Sequence, residues 1–305
     1  MKDISIILIN YNTAKFTLDC ITSIYKKTKK TIDFEIIVVD NNSEEEDYKI
    51  LCEGLKKKPD VVLHSSSLNT GFGGGNMLGF QYAKGQYVLF INNDVVLKND
   101  VLAIAYNFME SNTNVGVCTA QNFDEHNNFV PSFDHDKGLR KLIFGRSFLE
   151  AINPQKYPKR KLQHKVPLEV NFVNGAFMFF RKKQFEEVGG FDTNIFLYFE
   201  EMDICYRLRK RDYKCVLLPK AKIVHFQGAS TGISTALKKE GFISYLYVLK
   251  KNYSYLKFKI IQLYLVITFL VKPKKWNLLS IAIMGGGNME SSLKQKQVVK
   301  SQELN

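Results

Sequence analysis

The chain runs to 305 residues, 45% of them hydrophobic and 24% charged, with 43 Lys and Arg against 30 Asp and Glu for a formal net charge of +13. A chain of that length can bury one large core, or one core with an appendage, and it is no small scaffold stapled by disulfides. Its five cysteines (Cys20, Cys52, Cys118, Cys205 and Cys215) are odd in number, scattered and free of any C-x-x-C pair, which speaks against a zinc cluster and for a reducing compartment, the cytoplasm by default.

The first apolar run, residues 4–9, begins so close to Met1 that it leaves no room for a secretory signal, and none is expected. Apolar, β-rich runs recur at 35–39, 61–64, 87–91 and 115–119, with helical segments such as 13–27 and 75–83 between them. That alternation predicts right-handed crossovers and an α/β domain with a mostly parallel central sheet, its first strands apolar almost throughout because both faces are covered. In such sheets ligands bind beyond the carboxyl ends of the strands. Asn10-Tyr11-Asn12 follows the first strand, Asp40-Asn41-Asn42-Ser43 the second and Asn92-Asn93-Asp94 the fourth. One such cluster is ordinary turn chemistry, and capping is the plainer role for Asn42 and Ser43. Three on one edge outline a cleft.

Residues 69–76, from Asn69 through Gly71, Phe72 and three further glycines to Asn76, read as a glycine-rich turn leading into a helix. Backbone N–H groups in such a turn can approach a phosphate or a sugar; a flexible loop with no ligand is the alternative. A dinucleotide fingerprint would stand directly after the first strand and a P-loop would carry Lys-Ser/Thr after its glycines, so both are excluded. Asp94, at the end of a buried strand, offers hard oxygen to Mg²⁺ or Mn²⁺ on a diphosphate. From 121 to 168 the pattern fails, and a basic, proline-punctuated insertion is expected, in the manner of a lid or binding loop. Strand character resumes at 170–181, interrupted by Asn174-Gly175-Ala176, and again at 215–218 and 221–225. His225 closes that last run; a lone histidine is more often structural, and as a ligand it would favour Mn²⁺.

A helix placed over 200–211 puts Glu201 on one stripe with Ile204, Cys205 and Leu208, and Glu200, Asp203, Arg207 and Lys210 on another. Asp203 and Arg207 are an i,i+4 pair, which explains Asp203 structurally. Glu200 suits a helical first turn. Glu201, turned inward, needs a hydrogen-bond partner, a metal or a substrate hydroxyl, so it reads as a general base or a buried structural acid.

The positive charge gathers at 137–165, where Glu150 is the one acid, and at Lys250, Lys251, Lys257, Lys259, Lys272, Lys274 and Lys275, which are interleaved with aromatics. Residues 236–284 therefore suggest a helical segment lying on an anionic membrane, the alternative being a helix packed on the main domain with solvated lysines. The apolar run 263–271 is far short of the ~20 residues that span a bilayer. The tail 285–305 is expected to be mobile.

In this order, residues 6–12, 38–43, 69–76, 92–95 and 189–203 resemble the motifs of family 2 glycosyltransferases, above all rhamnosyltransferase-like members, over roughly residues 3–232. The resemblance implies a GT-A fold over 1–235 that binds a nucleotide-diphosphosugar and inverts its anomeric centre. It implies Tyr11, Asn12, Asp40 and Asn42 at the nucleotide, with Asn69, Gly71, Phe72 and Asn76 beside them. Asn92, Asn93 and Asp94 match the D-x-D element, with Asn92 in place of its first acid, and His225 matches a late metal ligand. Glu201 matches the general base, flanked by Glu200 and Asp203, and Asn174, Gly175 and Asp192 would shape the donor–acceptor junction. A divalent metal, Mg or Mn, and a lipid-linked glycan or polysaccharide acceptor at the inner face of the plasma membrane complete the implication; a homo-oligomer is compatible with it. A nucleic-acid-binding module fits poorly, since the charge lies outside the motif-bearing half. An inactive glycan- or nucleotide-sugar-binding homologue and a sugar-nucleotide nucleotidyltransferase are the remaining alternatives, the latter lacking its Arg-containing glycine signature.

Overall fold

A computed structural model of the chain describes residues 2–226, 234–285, 291–294 and 297. In chain order it runs β1 (Ile4–Asn10), α1 (Ala14–Lys27), β2 (Phe34–Asp40), α2 (Glu45–Leu55), β3 (Val61–Ser65), α3 (Gly71–Phe80), β4 (Tyr87–Ile91), β5 (Val95–Leu97), α4 (Val101–Ser111) and β6 (Val115–Phe123). The insertion follows with β7 (Phe129–Val130), β8 (Phe133–Asp134), α5 (Leu139–Ile152), β9 (Leu168–Glu169) and β10 (Phe172–Val173). Then come β11 (Phe177–Arg181), α6 (Lys182–Glu187), α7 (Glu200–Arg209), β12 (Lys214–His225), α8 (Thr235–Asn252), α9 (Tyr255–Leu270), a 3₁₀ turn (Pro273–Leu278) and α10 (Leu279–Met284).

The central sheet has the order β3-β2-β1-β4-β11-β6-β12-β5. β1 to β4 are parallel, β12 is parallel to β6, and β11 runs antiparallel between β4 and β6. The reversal follows from the insertion: the chain leaves β6 at the carboxyl edge and returns at that edge, so β11 must run down. Asn174-Gly175-Ala176 is thereby set at the same edge as the end of β4, with Phe177 opposite Ile91.

Alternation along β1 serves two cores. Ile4, Ile6 and Leu8 pack with α1, α2 and α4, whereas Ile7 joins Phe90, Phe180 and Phe185 under α3, α6 and α7. α3 can ride close on the sheet because its inner positions are glycines: a Cβ on Gly79 would lie 2.7 Å from Ile7 Cγ2, and one on Gly75 3.0 Å from Ile9 Cδ1. The glycine run is therefore the first turns of a packed helix and not a turn ahead of one. Phe191 wedges between Phe90 and Phe72, at ring-centroid distances of 4.8 and 5.8 Å, and fixes the approach to α7.

The C-terminal helices belong to the main body. Tyr245, Leu249, Phe258, Leu265, Phe269 and Ile281 share the core that holds Phe90 and Phe180. Part of the expected mobile tail is anchored: buried Ser292 donates its Oγ hydrogen to Glu240 Oε1 at 2.8 Å, and Leu293 N–H donates to Oε2 at 2.8 Å. Residues 286–290, 295, 296 and 298–305 of the tail lie outside the described residues. Among the described residues no helix is long and apolar enough to cross a membrane.

Candidate active site

The ends of β1 and β2 are locked together by buried polar side chains. Asn10 lies opposite Asp40, and its Nδ2 donates to Asp40 Oδ1 at 2.9 Å and to Asp47 Oδ2 at 2.8 Å. Ser43 Oγ accepts from Asn12 N at 2.9 Å, Asn12 Oδ1 accepts from Glu44 N at 2.7 Å, and Ser43 N donates to Asp40 Oδ2 at 3.1 Å. Asn12 and Asn42 take left-handed backbone, φ 55° and 67°, which asparagine tolerates better than most residues. The capping expectation for Asn42 and Ser43 is corrected here: Glu44 precedes α2 without a side-chain cap, and Ser43 instead stitches one strand end to the other. Tyr11 stands partly exposed at the lip.

Asn41, which sequence reasoning passed over, is the hub of the glycine segment. Its Oδ1 accepts from Thr70 N at 3.0 Å and Thr70 Oγ1 at 2.9 Å, while Nδ2 donates to Asn69 Oδ1 at 3.0 Å and Gly71 O at 3.1 Å. Asn69 Oδ1 also accepts from Gly71 N at 2.9 Å, and Phe72 N donates to Phe196 O at 2.9 Å. The expectation that these amides await a phosphate is thus corrected for residues 71 and 72, whose N–H groups have protein acceptors. Asn76 is likewise turned inward, its Nδ2 donating to Phe72 O at 3.0 Å. Gly71 has φ +73°, and a Cβ there would stand 1.9 Å from Phe196 O, so the residue is fixed as glycine by sterics.

Beyond β4, Asn92 N donates to Ala176 O at 3.0 Å, and Asn174 Oδ1 accepts from Ala176 N at 2.8 Å. Gly175 has open space around it. Asn93 serves the scaffold, its Nδ2 donating to Thr13 Oγ1 at 2.7 Å and Thr17 Oγ1 at 2.9 Å. Asp94 is buried, and its Oδ1 faces His225 Nε2 at 3.2 Å without a well-aligned hydrogen bond. His225 sits beside β5, opposite Val95, and Asn92 Nδ2 is 3.4 Å from the same ring nitrogen. A buried carboxylate oxygen with no donor, set against an imidazole nitrogen, is a donor set that suits a divalent cation. No cluster of three His, Cys, Asp or Glu exists among the described residues. A cavity of about 400 Å³ opens beside Asp94, with Phe16, Lys26, Asn93 and Phe226 in its wall.

α7 starts after two left-handed residues, Tyr198 and Phe199, both at φ 72°. Non-glycine residues are seldom held so. The expected places of the two glutamates are reversed: Glu200 is 3% exposed with Oε1 lacking a donor, and Glu201 is half-buried. Burial pushes the Glu200 carboxyl well above the usual carboxylate range, and the neighbouring Glu201 charge adds to it. Glu201 is also raised, by burial, with Lys137 opposing. Asp203 is not available to a substrate. Its Oδ2 accepts from Arg207 Nη2 at 2.7 Å and Lys251 Nζ at 3.0 Å, and its Oδ1 from Asn252 Nδ2 at 2.7 Å. Asp192 is engaged similarly, by Lys251 Nζ at 2.7 Å and the Tyr247 hydroxyl at 2.9 Å, so both acids expected at the reaction centre tie α7 and its approach to α8.

The sheet edge thus carries an acid at the end of β2 and an acid–imidazole pair past β4. The family description "Glycosyl transferase family 2" matches residues 5–189. The chain belongs to that family. This family 2 glycosyltransferase is 28% identical over 205 residues to the Escherichia coli (strain K12) rhamnosyltransferase WbbL, covering 61% of this chain and 75% of that protein. A shorter stretch of 63 residues is 36% identical to the N-acetylglucosaminyl-diphospho-decaprenol L-rhamnosyltransferase of Mycobacterium tuberculosis (strain CDC 1551 / Oshkosh), 21% of this chain and 20% of that one. The fold is of the GT-A kind: the structure of GalNAc-T7 with UDP, GalNAc and Mn²⁺ superposes with a TM-score of 0.61 at 17% identity, over 82% of this chain and 48% of that longer one. The family match ends before α7 and His225.

Proposed function

We propose that this glycosyltransferase moves a sugar, rhamnose in the first instance, from a nucleotide-diphosphosugar to a hydroxyl of a lipid-linked or growing polysaccharide acceptor, with inversion, at the inner face of the membrane. The observation that carries the reading is the buried Asp94 carboxylate facing His225 at 3.2 Å, on the sheet edge that also holds Asp40. Rhamnose is favoured by the names of the two relatives, and a lipid-linked acceptor by the second of them.

In this reading Asp40 and Tyr11 hold the nucleotide, and Asp94 and His225, with Asn92 beside them, would hold the divalent metal. When bound, that metal supplies positive charge against the diphosphate leaving group. Glu201, raised by burial yet half-open, takes the proton from the acceptor hydroxyl. The oxygen's electron pair forms the new bond to the anomeric carbon as the carbon–oxygen bond to the diphosphate breaks on the opposite face. Glu200 lies deeper, and burial disfavours its charged form more than that of Glu201, so the base role falls to Glu201. A panel of UDP-, dTDP- and GDP-sugars, assayed for release of the nucleoside diphosphate with and without Mn²⁺ or Mg²⁺, tests the reading. Turnover of one donor that EDTA abolishes is expected. Asn92, where the family motif has an acid, leaves one rival: a non-catalytic homologue, which would bind a donor in that panel and turn over none.

A further inference from the structure

The outer face of α9 is apolar although nothing among the described residues covers it. Phe258, Ile261, Leu265 and Phe269 point inward, and Leu256, Ile260, Leu263, Ile267 and Leu270 form a second stripe at spacings of four and three residues on the solvent side. Leu256 is 70% exposed and Leu263 60%. A helix buried on one face and apolar on the other has a second partner, and scattered surface leucines do not fall on one stripe.

The stripe does not stand alone. The Tyr264 hydroxyl donates to Leu142 O at 2.9 Å, so α9 runs beside α5 of the insertion. There Ile143, Phe144, Phe148 and Ile152 are exposed, with the two phenylalanine rings stacked at 5.5 Å. Exposed Trp276 continues the surface past the end of α9, its Nε1 donating to Leu270 O at 3.1 Å. Lysines bound it: Lys257 and Lys259 at one end, Lys272, Lys274 and Lys275 at the other, all exposed. No acidic residue occurs between Glu240 and Glu290.

We propose that α9 and α5 together form a docking face that lies in the headgroup region of an anionic lipid bilayer, with the lysine rim on the headgroups and the leucine, isoleucine and phenylalanine side chains below them. The charge pattern chooses the occupant. A second copy of this chain would bring one lysine rim against another, whereas an anionic surface neutralises it. The face deepens the transferase reading, and rests on it for one point only, that the acceptor arrives from the bilayer. Lys137, just ahead of α5, lies 4.3 Å from the Phe199 ring centroid and is felt by Glu201, so the docked face borders the acid pair.

The test is sedimentation of the full chain with vesicles, no sugar present. Vesicles containing about a third phosphatidylglycerol should bind it, and pure phosphatidylcholine at least about tenfold less. Leu263→Asp with Ile267→Asp should lower binding to the anionic vesicles by more than tenfold, as should Lys272→Glu, Lys274→Glu and Lys275→Glu together, and Phe144→Asp should lower it less. All these positions are exposed, so the thermal midpoint should stay put and serves as the folding control. Equal sedimentation of wild type and the Leu263/Ile267 variant overturns the proposal. So does a wild type that ignores the vesicles, or a concentration-dependent dimer that Leu263→Asp dissolves. Donor hydrolysis in solution is read separately, and its survival or loss bears on the transferase reading alone.

Discussion

Asp94 Oδ1 lies 3.2 Å from His225 Nε2, across the pairing of β5 with β12. The two side chains come from positions far apart in sequence, and the contact forms because β12 ends at the rim where the antiparallel β5 begins. If the pair holds the divalent metal, Asp94→Asn and His225→Ala should each weaken Mn²⁺ binding by about tenfold or more, read by titration of the bound ion's magnetic resonance signal in the presence of nucleoside diphosphate. Unchanged affinity in both variants would refute the assignment.

In the proposed mechanism Glu201 takes the proton, and the direction of its pKa shift then sets a pH signature. Burial raises it above the ordinary glutamate value of about 4.3, and a general base works only when ionised. The rate should therefore fall as pH drops through that raised value, giving an acid limb displaced upward. Glu201→Gln should cost about 100- to 10,000-fold in kcat and erase the limb, with donor affinity kept. A normal rate in that variant removes Glu201 from the mechanism.

Glu200 predicts an effect on stability instead. Its carboxyl is raised by burial, first, and by the charge of Glu201, so between the unfolded and folded values the native state holds the extra proton. That contribution is complete below the unfolded pKa and is lost as pH rises through the folded one. Glu200→Gln should raise the melting midpoint by about 2 °C or more at pH 8 and flatten its pH dependence. The slope will not vanish, because Glu201 and Glu240 are raised in the same direction. Calorimetry across pH 5 to 9 decides it.

The sequence-to-structure path explains which features were legible. Strands β1, β2 and β4 were readable because runs buried on both faces are apolar almost throughout, and the polar residues at their carboxyl ends then fall on one rim. The direction of β11 was not readable: an apolar run has no polarity, and only the path of the insertion decides it. Helical periodicity correctly separated Glu200 from Glu201 by angle, and the Asp203–Arg207 pair formed as the spacing required. Which glutamate lies deeper was not legible, because both stripes of α7 meet protein: Asp203 is buried on the Glu200 stripe and Ile204, Cys205 and Leu208 on the Glu201 stripe. Asn41 escaped notice because its partners, Asn69, Thr70 and Gly71, come from another loop. The C-terminal segment offered packing and membrane contact as alternatives, and α9 has a core-facing stripe together with one that no described residue covers.

The fully buried Asp203 ties three parts of the molecule. Arg207, whose Nη2 it accepts at 2.7 Å, also donates to the carbonyls of Val188 and Gly190, so the turn before α7 hangs on the same guanidinium. Lys251 bridges Asp203 and Asp192, and through it α8 is fastened to that turn. Removing one member of a buried ion pair leaves the others desolvated and unpaired, at a cost of about 3–5 kcal/mol, against at most about 1 kcal/mol for an exposed pair. Asp203→Ala should therefore destabilise the protein by several kcal/mol in urea. Lys251→Ala should cost less, since its ammonium is partly solvated, and the double variant should fall short of the sum because the two share one network. An Asp203→Ala loss under 1 kcal/mol, or full additivity, would show that α8 is held by its apolar face alone.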